Sequence, residues 1–225
     1  MKTAAPEPCR YGCSLGHVAL HYNRPEEGML ASRLLKLLGF IETQDLALPG
    51  GHFYRFVVSP RHQERGDGII FLSAVPNAQR QLAEAIRTAL KLGTSEEHPA
   101  VAGMRAALLS DPECSFHIGV LLESLQELEQ IVLRLQREIK TDPELRGRVR
   151  ITLNRARRGD ADVDATLDAS PVFGRVGRYA YGRNGVQVFV ETDILVSGIL
   201  NEGLVVELDY VFPDQSNHIL SVAEI

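Results

Sequence analysis

Three groups of residues in this chain have the types and spacing to do chemistry: histidines that open strands, a carboxylate inside an apolar strand, and a run of arginines. His17 and His117 each stand just before the apolar body of a strand-like segment, residues 16–20 (GHVAL) and 116–120 (FHIGV). A neutral imidazole there is a metal ligand, a proton acceptor or a hydrogen-bonded packing residue. Side chains alternate along a strand, so His21 shares a face with His17 and is a candidate to orient a ligand or accept a proton. Glu207 lies within residues 204–208 (LVVEL), where a lone buried carboxylate is costly unless it is paired or bound to a metal. Asp209 shares its face, and both are ordinary surface acids if that face meets water.

The remaining candidates are weaker. His52, Tyr54 and Phe56 alternate onto one face of a strand, where they either line a cavity, with Tyr54 a candidate catalytic group, or pack the sheet. Arg155, Arg157, Arg158, Arg175, Arg178 and Arg183 form either a solvated loop or a clamp for an anionic substrate, since guanidinium grips carboxylate and phosphate bidentately. Tyr179 and Tyr181 stand among them, and Tyr181 is the third candidate catalytic residue after His21 and Tyr54. Cys9, Cys13 and His17 make a C-x3-C-x3-H pattern that lacks the fourth ligand and the usual spacing of a zinc site.

The elements that must position these groups follow from hydrophobic period. Residues 16–22 alternate as a strand. Apolar residues then recur at helical spacing over 29–38, and Gly39 stops the helix. Strands are expected over 40–48, 52–58 and 68–75, with 60–67 a polar loop. Helices follow over 77–92 and 100–109. The opening pattern then returns: a strand over 115–122, an amphipathic helix over 125–139, and strands over 148–155, 185–194 and 203–212, with a Gly- and charge-rich stretch at 157–183.

Each unit shows one sheet and one helix and cannot cover its own apolar surface, so the two are expected to share a core. The domain division is residues 14–76, a helical linker 77–113, and residues 114–213 with insertions. Composition limits the function classes. With 24 Lys plus Arg against 29 Asp plus Glu the net charge is −5, which disfavours phosphate-backbone binding, so no nucleic-acid partner is expected. Residues 1–12 lack the apolar core of a signal peptide, and no run of about 18 apolar residues marks a membrane span. The three cysteines, Cys9, Cys13 and Cys114, do not suggest a disulfide framework. A cytoplasmic location without membrane attachment is the expectation.

In four segments the chain resembles the vicinal oxygen chelate superfamily, which includes glyoxalase I, fosfomycin resistance proteins, extradiol dioxygenases and bleomycin resistance proteins. They are residues 17–20 (HVAL), 34–40 (LLKLLGF), 116–120 (FHIGV) and 203–208 (GLVVEL). The resemblance implies an α+β fold in which two βαβββ modules form an incompletely closed mixed β-barrel with flanking helices. It also implies a metal held by His17, His117 and Glu207. The fourth position of the glyoxalase I set falls near Phe71 and Leu72 and is apolar, as in the two-histidine, one-carboxylate sets of extradiol dioxygenases. Such a set leaves about three positions open on an octahedral ion, which suits Fe(II) or Mn(II) binding a small-molecule substrate through vicinal oxygens. The implied function is a divalent-metal-dependent enzyme, with ring-cleaving dioxygenase ahead of isomerase or lyase. The alternative is a metal-free protein that sequesters a small molecule, as bleomycin resistance proteins do. The extra apolar residues of 192–203 could cover the site or form the contact of a homodimer.

Overall fold

Side-chain alternation decides which way each strand faces. The computed structural model describes residues 14–110, 116–178 and 184–213. Strand β1 (His17–Tyr22) turns Leu20 and Tyr22 into the core and leaves His17 exposed. Helix α1 (Gly28–Leu37) follows and buries Leu30, Ala31, Leu34 and Leu35. Its apolar stripe covers one face of β2 (Ile41–Leu48), β3 (Gly51–Val57) and β4 (Ile69–Ala74). Tyr54 and Phe56 of β3 and Ile70 and Leu72 of β4 meet it in that layer.

The second half is built from longer pieces. Strand β5 (His117–Leu121) leads into α5 (Leu125–Thr141), whose start is capped by Ser124 accepting from the Glu127 amide at 3.1 Å. Leu128, Ile131, Val132 and Leu135 of α5 pack on Val186, Val188 and Val190 of β7 (Gly185–Ser197) and on Leu204, Val206 and Leu208 of β8 (Glu202–Val211). Strand β6 (Val149–Arg155) flanks β7. Helices α3 (Asn77–Ala89) and α4 (Pro99–Ser110) join the halves.

All eight strands belong to one mixed sheet, in the order β2-β3-β4-β1-β7-β8-β5 with β6 beside β7. Strand β1 runs parallel to β4, which is antiparallel to β3, which is antiparallel to β2. In the same way β5 runs parallel to β8, which is antiparallel to β7, which is antiparallel to β6. The outer strands β2 and β5 are not bonded to each other, so the sheet does not close into a barrel.

Two expectations change. The polar loop at 60–67 contains a short helix, α2 (Pro60–Arg65), with no buried residue, so no apolar period marked it. Within 157–183 lies α6 (Ala161–Ala169), capped by Asp160 and anchored by buried Val163 and Leu167. Among the described residues no helix is long and apolar enough to cross a membrane.

Candidate functional site

Opposite the helix layer, the second half of the sheet presents a face that the alternation makes polar. His117 and Gly119 of β5 stand in register with Val205 and Glu207 of β8, and Phe189 and Gln187 of β7 with Glu207 and Asp209. Glu207 and Asp209 are only 5% and 6% exposed. Burying a carboxylate requires compensation, and for Glu207 it is visible. Gln187 donates from Nε2 to Glu207 Oε1 at 2.7 Å, and His117 Nε2 lies 3.3 Å from Glu207 Oε2. The structure therefore brings His117 and Glu207 together, on adjacent parallel strands.

Gly119 lies between them along the face, in a backbone conformation open to any residue. A β-carbon built there would stand 3.7 Å from Glu207 Oε2 and 3.9 Å from Asp209 Oδ2. A small side chain would fit, and its absence keeps the space beside the two carboxylates clear. Glycine within a strand often marks such a close approach.

The other first-strand histidine behaves differently. His17 is exposed at the start of β1 with its ring 5.1 Å from that of Phe71. His21 shares that face as expected and is hydrogen-bonded through Nδ1 to Ser73 Oγ at 3.2 Å. Two bonds of about 2.1 Å at right angles put donor atoms about 3 Å apart, so His117 and Glu207 fit neighbouring positions on one first-row ion. His17 does not join them: among the described residues no group of three or more His, Cys, Asp or Glu is placed to hold a metal.

Of the two alternatives for Tyr54, the structure shows the packing one. It is 1% exposed and lies with Tyr22 and Phe56 in the layer under α1, on the opposite side of the sheet from His17 and His21. Burial first, then the nearby Asp45 charge, pushes its phenol up to about 12, so it stays protonated at neutral pH. His52 turns outward at the edge and pairs with Asp45 at 2.7 Å. Tyr179, Tyr181 and Arg183 lie outside the described residues, as do Cys9, Cys13 and Cys114.

Two of the arginines, Arg155 and Arg178, are engaged with their own neighbours. Arg155, 3% exposed, binds the Asp168 carboxylate and the carbonyls of Asp164, Phe173 and Gly174. Arg178 donates to Asp164 at 2.6 Å and to the Ala156 carbonyl at 3.0 Å. These contacts fasten α6 to the end of β6, and the Arg155 hydrogen bond holds the Asp168 carboxyl below its ordinary range. Sequence reasoning also missed the pairing of His62 with Asp67, 2.8 Å apart, because neither residue sits in an apolar period. No family model matches the chain, and no curated protein does so.

Proposed function

We propose that the chain is a divalent-metal-dependent enzyme of the vicinal oxygen chelate type, acting on a small molecule with vicinal oxygens at the face around His117 and Glu207. The supporting observation is the contact of His117 Nε2 with Glu207 Oε2 on adjacent parallel strands, beside the gap left by Gly119. The matching strand pairings of the halves support reading each as a βαβββ module. In this reading His117 and Glu207 hold the ion; His17 is the third ligand that the resemblance implies, although it stands apart from them against Phe71. The ion, Fe(II) or Mn(II), would supply Lewis acidity toward the substrate oxygens. Gln187 fixes the Glu207 carboxylate by its 2.7 Å hydrogen bond. At 5% exposure the Glu207 carboxylate is largely shielded from water. Ring cleavage is proposed ahead of isomerisation or lysis.

A second reading, metal-free sequestration of a small molecule, is favoured by the separate placement of His17 against Phe71. Anaerobic titration with Mn(II) and Fe(II) separates the two. The metal reading expects one ion per chain, with binding lost in His117→Ala and Glu207→Ala and weakened in His17→Ala. An unaltered heat signal in both of the first two variants would overturn it. Oxygen uptake on catechol with Fe(II) then distinguishes ring cleavage from the other reactions.

A further inference from the structure

A second cavity lies between α2 and the outer strand β5, at the unpaired edge of β5, and borders the first face at Gly119. It is a cleft open to solvent of about 590 Å³, with Val58, Pro60, Leu121 and Leu122 as apolar walls and Ser59, His62 and Glu127 as polar groups. The lining mixes apolar and polar groups, so it suits a ligand with an apolar body and at least one polar group. Arg61 and Glu123 close its rim with an ion pair at 2.6 Å. Among the described residues β5 is bonded only to β8, so backbone donors and acceptors of its other edge border the cavity.

His62 is held in one orientation from two sides. Its Nδ1 lies 2.8 Å from Asp67 Oδ1, and its ring rests on Gly68, where a β-carbon would come within 2.8 Å of Cγ. Gly68 has φ +56°, so both its backbone and this contact call for glycine. The His62 hydrogen bond, ahead of one from Ser14, keeps the Asp67 carboxyl below its ordinary range. A carboxylate on Nδ1 fixes the proton there and leaves Nε2 of the neutral ring as an acceptor. Ser59 Oγ is buried with no hydrogen-bond partner among the described residues, a second polar group without an internal use.

We propose that this cavity binds a small, largely apolar molecule carrying a hydroxyl group, which donates a hydrogen bond to Nε2 of His62. The site uses neither His117 nor Glu207, and only Gly119 is common to it and the face proposed for the metal. It is tested with 4-fluorophenol and fluorobenzene, two ligands that differ by the hydroxyl, titrated into ¹⁵N-labelled protein. The expected result is movement of the Ser59, Leu121 and Leu122 amides and at least tenfold tighter binding of the phenol. In His62→Ala the two ligands should bind equally, while His62→Gln, which keeps an acceptor, should retain part of the preference. Asp67→Asn, which frees the ring, should reduce the preference without removing the imidazole. Equal affinity of the two ligands for the unaltered protein would overturn the proposal, as would shifts confined to His117 and Glu207. So would a phenol preference that survives in His62→Ala.

Discussion

In residues 17–74 the face of the sheet away from the helices carries His17 against Phe71 and His21 on Ser73. In residues 117–211 the same face carries His117, Gln187 and two carboxylates that are 5% and 6% exposed. The pairing of neighbouring strands is alike, yet the water access of the polar groups is opposite. Strand β8 is flanked along its length by β5 and β7, so Glu207 is covered from both sides. Strand β1 is paired with β4 throughout but meets β7 only at His21 and Tyr22, so His17 stands at an uncovered margin. One framework therefore desolvates a charge in one half and exposes an imidazole in the other. Neighbouring strands set this difference as much as residue type does.

The comparison can be broken most severely through the helices. Leu34 in α1 and Leu135 in α5 are both fully buried, and replacing either by alanine should cost about 2–5 kcal/mol. Urea unfolding checks this, and a much smaller loss at Leu34 would show that the first half does not share the common core. A smaller effect is expected at the junction. Glu27 binds Arg24 and Arg148, the latter at 2.8 Å, and so ties the chain after β1 to the start of β6. Glu27→Gln should cost about 1–3 kcal/mol, the range of a hydrogen bond to a charged group, read from the same unfolding curves.

The same junction predicts a pH dependence. Burial raises the Glu27 pKa, but the hydrogen bonds from Arg24 and Arg148 outweigh it, and the net shift is downward. A carboxyl lowered in the folded state contributes fully above its unfolded value of about 4.3. That contribution is lost as pH falls through the lower folded value. Stability of the unaltered protein should therefore drop more steeply below about pH 4.3 than that of Glu27→Gln. The smallest effect belongs to Ser73→Ala, which removes one hydrogen bond to the half-exposed His21 and should cost about 0.5–1.5 kcal/mol. Metal or ligand binding at His117 and Glu207 should be unchanged, and a loss there would mean that the polar groups of the two halves act as one site.

Period carried most of the fold: strands β1 to β6 and helices α1 and α5 lie within two residues of where alternation and helical spacing put them. What alternation does not say is which of two faces meets the helix. In β3 both faces carry aromatics, Phe53 on one and Tyr54 with Phe56 on the other, so the sequence groups Tyr54 correctly and leaves its direction open. Helix α2 escaped because none of its residues is buried, and α6 because its two anchors, Val163 and Leu167, lie among aspartates. The nearness of His117 to Glu207 was implied only by the family resemblance, whereas the need of Glu207 for a partner was legible from an apolar strand that holds a carboxylate. The clamp on His62 was not, since it depends on Gly68 and Asp67 folding back beneath the ring.

Strand β7 has a consequence in mechanical terms. Its 13 residues pair with β6 and β8, and a break in register between Thr192 and Val196 frees the last stretch to reach β1. The sheet is therefore stitched across its middle by His21 with Val196 and Tyr22 with Leu195 alone. Under tension between residues 14 and 213 that seam carries the load in shear over two rungs. It should part before either four-stranded flank unravels, with α1 against α5 and the Glu27–Arg148 pair among the contacts that then still hold the halves together.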